Sequence, residues 1–519
     1  MNILKPPCDE GVIAAKRAVS PCSKKLAPWI LAATILGSSM SFIDGTVVNV
    51  ALPALQSKLN ATAIDVQWVV EAYALFLAAL LLLGGSLGDL FGRRLIYFIG
   101  VAIFALASLW CGLAPNIHQL IIARSIQGIG GALLVPGSLA IISASFAEKD
   151  RGHAIGTWSG STAITTALGP VIGGWLIEHV SWRAVFFLNL PIAAVVLFLV
   201  ARFVPESRDP ETGRLDLSGA ALATISLGAI IYGLIESPRL GFRSPLVISA
   251  LAVGVLMFAA FIAVEAHKRS PMMPLSLFYS RNFAGANLLT LFLYAALVGT
   301  LFFFPLNLIQ VQGYTPTAAG AASLPLILIM FLLSRWSGGL VQRYGSRLPL
   351  VTGPIIAAIG FALFLRSGVG GSYWTTFFPA VTVLGIGMAI TVAPLTTTVM
   401  NSVNEIHAGI ASGINNAVSR TAGLLAVAVF GVIMFRSFNA CLDDSLNQLT
   451  LAPDVLGFLS AERIKLAAID IPSNIDEGTR IAIKQAVDQC FVFGFRQVML
   501  IGTLLALASS VVAGITLRD

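Results

Sequence analysis

Gly85-Ser86-Leu87-Gly88-Asp89-Leu90-Phe91-Gly92-Arg93-Arg94 is a short polar turn between two long apolar runs, 66–88 and 95–114. Runs of about 20 apolar residues have the length of a membrane-crossing helix, so the turn connects two adjacent spans. Its glycines let helix ends approach closely, and Asp89, Arg93 and Arg94 can pair across the gap between neighbours. A second version, Gly338-Gly339-Leu340-Val341-Gln342-Arg343-Tyr344-Gly345-Ser346-Arg347, follows 253 residues on and keeps the Gly, Leu, Gly and final Arg positions. Gln342 stands there in place of the acid. A repeat at this distance makes the chain two related halves instead of a row of helices.

The rest of the composition agrees with that reading. The 519 residues are 57% hydrophobic and 11% charged, with mean hydropathy +0.87, whereas charged residues make up about 25% of a soluble domain. Fourteen apolar segments are long enough to span, at about 28–53, 66–88, 95–114, 119–142, 154–178, 184–203, 218–236, 245–265, 285–310, 317–340, 348–366, 374–398, 409–435 and 491–516. The expected fold is an all-α polytopic membrane protein. It has an N-terminal tail (1–27), a first six-helix bundle (28–203), a linker with two extra spans (204–284) and a second six-helix bundle (285–519) that includes a long polar segment at 436–490.

Lys and Arg are unevenly divided between alternate loops. The set shared with the termini carries 18, and the opposite short loops carry five. By the positive-inside rule both termini are expected in the cytoplasm. The net charge of +7 does not indicate nucleic acid, because the basic residues sit between apolar runs instead of on one face. The tail is read as cytoplasmic and not as a removed signal peptide, since it lacks a short apolar core followed by a small-residue cleavage site. The 436–490 segment would lie outside and cap the last two spans, with short amphipathic helices expected around 461–466 and 480–487.

Phe42-Ile43-Asp44-Gly45-Thr46-Val47-Val48-Asn49-Val50-Ala51-Leu52-Pro53 places one carboxylate inside the first span. An acid at mid-helix costs roughly 2.5–3.5 kcal/mol, so Asp44 calls for a role or a partner. It lies about 24 Å along the helix from Pro28, in the outer half of a hydrocarbon core about 30 Å thick. Glu71 and Arg124 also fall near the outer ends of their spans. The expectation is a cluster of Asp44, Glu71 and Arg124 that binds a proton or a cation. Arg124 cannot deprotonate and would act as a fixed charge.

Several of these stretches resemble the major facilitator superfamily. The Gly85–Arg94 turn is similar to its Gly-x-Leu-Ala-Asp-Arg-x-Gly-Arg-Arg loop, with Gly88 for Ala and Leu90 for the first Arg. The resemblance implies a gating role for Gly85, Asp89, Gly92, Arg93 and Arg94. Arg124-Ser125-Ile126-Gln127-Gly128-Ile129-Gly130 resembles its Arg-x-x-Gln-Gly-x-Gly motif. Gly169-Pro170-x-x-Gly173-Gly174, preceded by Ser161 and Thr165 at spacings of four, resembles the motif of its antiporters. Asp44 to Pro53, Trp182-Arg183-x-x-Phe186-x-x-Asn189-x-Pro191, Gly409 to Arg420 and the two linker spans together resemble the fourteen-span branch, the second drug:proton antiporter family. This implies proton-driven export of amphipathic, cationic small molecules in a multi-pass inner-membrane protein. No cofactor is implied beyond the proton gradient, and Asn49, Gln127 and Arg420 would line the cavity. Some members of the superfamily work with a periplasmic adaptor, but no residue here indicates one.

Uptake or exchange of one metabolite is the alternative within transport, and the Gly169–Gly174 motif disfavours it. An enzyme is disfavoured because none of the five histidines sits in a nucleophile or metal constellation. A non-transporting sensor would need a signalling domain larger than the tail. Nor does the chain carry the phosphate-cradling Gly-x-x-x-x-Gly-Lys-Ser/Thr of an ATP-driven pump. No cysteine pair has metal-ligand spacing. Of the five cysteines, Cys441 and Cys490 share the outer polar segment and are the one candidate disulfide, with two free thiols as the plainer expectation.

Overall fold

The computed structural model describes residues 26–208, 215–268, 271–404, 408–449, 451–472 and 475–518. The expected tail lies outside that range except for its last two residues, as do Cys8, Cys22 and His407. Among the described residues, fourteen helices are long and apolar enough to cross a membrane. They are α1 (Ala27–Lys58), α2 (Ala63–Phe91), α3 (Arg93–Leu113), α4 (Ile117–Ser145), α5 (Asp150–His179), α6 (Ala184–Phe203), α7 (Leu217–Leu240), α8 (Pro245–His267), α9 (Arg281–Val311), α10 (Pro316–Ser334), α11 (Arg347–Arg366), α12 (Tyr373–Asn401), α13 (Ile410–Leu446) and α14 (Glu477–Thr516).

The last two helices run beyond the apolar segments that announce them. Ile483, Ala486, Val487 and Cys490 are buried at spacings of three, one and three, one face of a helix, so the amphipathic stretch at 480–487 becomes the start of α14. The polar segment expected over 436–490 therefore shortens to 447–476. Within it lie a helix at Pro453–Glu462 and a 3-10 turn at Arg463–Ala468. Cys441 and Cys490 are joined as a disulfide, with Cα atoms 5.4 Å apart. The two free thiols expected from the sequence are corrected here, because both helices extend far enough to bring the cysteines side by side.

The chain divides into two compact units. The first holds residues 1–48, 69–227 and 257–274. In it α3 packs along α4 and against α6. Its core joins Ile30, Met40, Tyr73, Leu77, Tyr97, Phe104, Leu134 and Val196 from five helices. Lipid supplies no hydrophobic driving force between helices, so such packing depends on close contact. Gly128 and Gly130 provide it for α4: a Cβ would stand 2.4 Å from the Tyr73 carbonyl oxygen on α2 and 2.6 Å from the Phe104 nitrogen on α3, respectively.

The second unit holds residues 49–68, 228–256 and 275–519. In it α9 packs on α13 and α14, and α11 packs on α12 and α14. Phe304, Phe364, Phe377 and Phe495 form an edge-to-face aromatic cluster there.

Candidate functional site

Leu120, Ala123, Arg124 and Gln127 are buried on one face of α4, and the glycines of the same helix bring that face against α2 and α3. This seats Arg124 deep in the first unit at 1% exposure, and it does not reach out to the bilayer surface. Opposite it, Asp44 on α1 is 0% exposed, and the two form an ion pair through Arg124 NH1 and Asp44 Oδ2.

The second oxygen of Asp44 is also occupied. Gln127 Nε2 donates to Oδ1 at 2.9 Å and Asn189 Nδ2 at 3.3 Å. Asn189 Nδ2 also donates to Ser108 Oγ at 3.0 Å, and Ser108 Oγ donates to the Phe186 carbonyl at 2.9 Å. Two further Arg124 donors are used locally, Nε on the Val69 carbonyl at 3.0 Å and NH1 on Gln127 Oε1 at 2.8 Å. Its guanidinium lies 4.3 Å from the centre of the Tyr73 ring, a cation–π contact. Tyr73 in turn shares a hydrogen bond with Ser41, the hydroxyls being 2.7 Å apart.

Among the described residues the Asp44 carboxyl thus meets three side-chain donors, one on Oδ2 and two on Oδ1. Charges this deeply buried repay their desolvation only with good geometry and hydrogen bonds to the charged groups, and the amides of Gln127 and Asn189 supply these to Asp44.

The antiporter-like motif on α5 packs directly on the turn of α1 that carries Asp44. A Cβ on Gly169 would stand 2.4 Å from Thr46 Oγ1, and one on Gly173 would stand 2.0 Å from Val47 Cγ2. Thr165 Oγ1 donates to Ser39 Oγ at 3.1 Å one turn earlier. Pro170 and Gly174 are buried beside these contacts, and α5 continues unbroken through the proline.

At the Gly85–Arg94 turn, Arg93 pairs with Asp89 at 2.7 Å, while Arg94 NH2 donates to the Ala201 carbonyl at 2.9 Å. Gly92 has φ +120°, where only glycine is unstrained. Glu206 closes the turn by accepting the backbone N–H groups of Arg94 (3.1 Å) and Leu95 (3.2 Å), which caps the start of α3. The close helix approach expected of Gly85 belongs to its neighbour: a Cβ on Gly84 would stand 2.0 Å from the Ala132 carbonyl oxygen, whereas Gly85 makes an ordinary contact with Pro136.

Not every residue expected in the cluster joins it. Glu71 is buried on α2 at 1% exposure, and its Oε2 has no hydrogen-bond partner among the described residues. Arg124 reaches α2 through the Val69 carbonyl, so the three-residue cluster reduces to a pair with its amide partners. Gln127 is fully buried against Asp44. Asn49 belongs to the second unit, its Oδ1 buried with no hydrogen-bond partner among the described residues, and Arg420 is half-buried on α13.

Ser108, Tyr73, Asn189 and Glu206 are the contributors that sequence reasoning did not single out. The only signal for Asn189 was its place in the Trp182–Pro191 stretch. A further membrane acid, Glu236 on α7, lies in the second unit, where it accepts Trp68 Nε1 at 2.9 Å and pairs with Arg239 at 2.6 Å.

In the second unit the Arg463–Ala468 turn packs on α13 and α14. The Lys465 carbonyl accepts Gln56 Nε2 at 2.9 Å, and Gln56 Oε1 accepts Gln310 Nε2 at 2.9 Å. Leu466 is buried beside them at φ +54°, a backbone conformation that side chains rarely adopt.

The Major Facilitator Superfamily model matches residues 34–427 of the chain. Multidrug resistance protein Stp of Mycobacterium tuberculosis is 34% identical over 481 residues, covering 91% of this chain and 89% of its own length. The multidrug efflux pump LfrA of Mycolicibacterium smegmatis is 30% identical, covering 98% of this chain and 99% of its own. Among solved structures, a bacterial homologue of the human lysosomal transporter Spinster, in an inward-facing and unoccupied conformation, superposes with a TM-score of 0.64. It is 19% identical, over 94% of this chain and 98% of that one, a likeness of fold alone. The fourteen spans, the turn closed by Glu206 and the family match over most of the chain agree, and the protein is a multi-pass membrane protein of the Major Facilitator Superfamily.

Proposed function

We propose that this protein exports amphipathic, cationic small molecules in exchange for protons, by alternating access across the cytoplasmic (inner) membrane, with both termini in the cytoplasm. The observation that carries this reading is the buried Asp44–Arg124 pair. It sits on the helix turn against which Gly169 and Gly173 pack. The names of the two mycobacterial relatives support the direction of transport, and the Lys and Arg distribution supports the orientation.

The chemistry follows from the donor set. With Asp44 ionised, Arg124, Gln127 and Asn189 engage both its oxygens, so a substrate cation has to compete with them for the carboxylate. Adding a proton to Asp44 cancels the attraction to the guanidinium and replaces an acceptor with a donor. The pair then opens. In the conformation that faces the cytoplasm, loss of the proton would leave the carboxylate to choose between Arg124 and a substrate cation.

Exchange of one proton for one monovalent cation moves no net charge, so such a cycle runs on the pH gradient, and a dication would add a dependence on voltage. No cofactor is required. The test uses everted membrane vesicles and a fluorescent lipophilic cation. Uptake into the vesicles that begins on acidifying their interior and collapses with a protonophore is expected. Uptake that ignores the protonophore, or flux in the opposite direction, would overturn the reading.

A further inference from the structure

A second group of buried charges lies in the first unit, where the two linker helices begin and end. Asp216 immediately precedes α7, and its Oδ1 accepts the Gly219 N–H at 2.6 Å, the Ser218 hydroxyl at 3.2 Å and the Lys268 ammonium. Lys268 also reaches Ser218 Oγ at 2.6 Å. Glu265 stands near the end of α8, and its Oε2 accepts the backbone N–H of Met273 at 2.7 Å. That bond holds down the strap Pro271-Met272-Met273-Pro274, the last residues of the first unit.

One oxygen of each acid remains. Asp216 Oδ2 and Glu265 Oε1 are buried, and among the described residues no N–H or hydroxyl donates to either. The side chains are 7% and 2% exposed, respectively. Both oxygens face the same point, lying 2.8 Å and 2.5 Å from where a Cβ on Gly219 would stand. Across that point the two carboxyls face one another.

Two ionised carboxylates cannot hold that arrangement, since each would repel the other and leave a buried oxygen unsatisfied at about 1–3 kcal/mol or more. Among the described residues Lys268 balances one negative charge, not two. A single proton between the acids removes both defects. Burial pushes Asp216 up, but hydrogen bonds from Glu265, Lys268 and the Gly219 N–H outweigh it and hold Asp216 at about 2. The shared proton therefore resides on Glu265.

We propose that Asp216 and Glu265 form a proton-binding site in which one proton, carried by Glu265 and donated to Asp216, fastens the Pro271–Pro274 strap to the start of α7; loss of that proton frees the strap. Among the described residues the charged groups facing Glu265 are Asp216, from the segment before α7, and Lys268, from the connection after α8. His267, two residues further along α8, is exposed and turned to the Ala263 carbonyl of its own helix. Glycine at 219 leaves the room the two acids occupy. The site is separate from the Asp44–Arg124 pair and does not depend on the export reading. On the topology proposed above it faces the cytoplasm, so the strap would follow cytoplasmic pH.

Hydrogen exchange on the full-length protein in lipid nanodiscs tests this without measuring transport. Between the two prolines only Met272 and Met273 carry amide hydrogens, so protection in this stretch reports the latch directly. After correction for the intrinsic pH dependence of exchange, we expect wild-type protection to be steady at acid pH. Once Glu265 has lost its proton it should fall about tenfold per pH unit.

In Glu265→Gln the amide can donate to Asp216 and accept from Met273, as the protonated acid does, and protection should stay high from about pH 5 to about pH 9. Gly219→Ala should lose protection even at acid pH. Wild-type protection that does not change over this range, or a Glu265→Gln profile that falls in parallel with wild type, would overturn the proposal.

Discussion

Asp44 on α1 and Arg124 on α4 form an ion pair in which neither side chain is more than 1% exposed. Removing one partner of such a pair strands a buried charge, at about 3–5 kcal/mol, whereas replacing both is often nearly neutral. We therefore expect Arg124→Met to lower the melting temperature of the purified protein strongly, and Asp44→Asn combined with Arg124→Met to recover most of the loss. A double variant that melts as low as the sum of the singles would show that the two residues are not coupled.

The packing of α5 on the Asp44 turn should be sensitive to single methyl groups. Gly173→Ala places a Cβ 2.0 Å from Val47 Cγ2, and overpacking of this kind costs about 1–3 kcal/mol. Trimming the opposing side chain with Val47→Ala should restore stability to Gly173→Ala, as read by thermal unfolding. Gly45→Ala on the same turn of α1 has open space for its Cβ and should be tolerated.

At the Gly85–Arg94 turn, Gly92→Ala should be the most damaging change, because the new Cβ meets both a positive φ and the Glu206 carboxylate at 2.6 Å. Strain in that region costs about 1–3 kcal/mol. Glu206→Ala, which uncaps α3, should cost about 1 kcal/mol. Limited proteolysis of the turn at fixed protease concentration would rank the two.

The Cys441–Cys490 bond joins the last turns of α13 to α14 across a separation of 49 residues. Reducing it, or making Cys441→Ser, should destabilise the fold by about 2–4 kcal/mol. The unfolding midpoint with and without reductant measures this, and the Cys441→Ser variant should show no further response to reductant.

The number and type of the helices could be read from the sequence, because each bilayer crossing needs its own long apolar run. Their ends were less legible. Arg480 to Val487 reads as a short amphipathic helix of the outer polar segment, yet its buried face continues α14 and carries Cys490 to its partner. Asp44 and Arg124 could be identified because a charge inside an apolar run is costly wherever it sits. Asn189 and Ser108 could not, since an uncharged polar residue in a span usually needs no special partner. Glu71 looked equivalent to Asp44 by charge and depth, and only the rotation of α2 separates them: Arg124 meets the Val69 carbonyl on that helix. Glu206 lies 112 residues from the amide it caps, a distance that no local pattern reports.

The central claim is that Asp44 exchanges a proton for a substrate cation, and it is tested most directly by adding a lipophilic cation to the purified protein in weakly buffered solution and measuring released protons with a pH indicator. The comparison is between wild type, Asp44→Asn and Glu71→Gln, each confirmed to be folded by its melting curve. We expect saturable proton release from wild type and Glu71→Gln, and none from Asp44→Asn. Release from Asp44→Asn equal to that of wild type would contradict the assignment of the exchanging proton to Asp44.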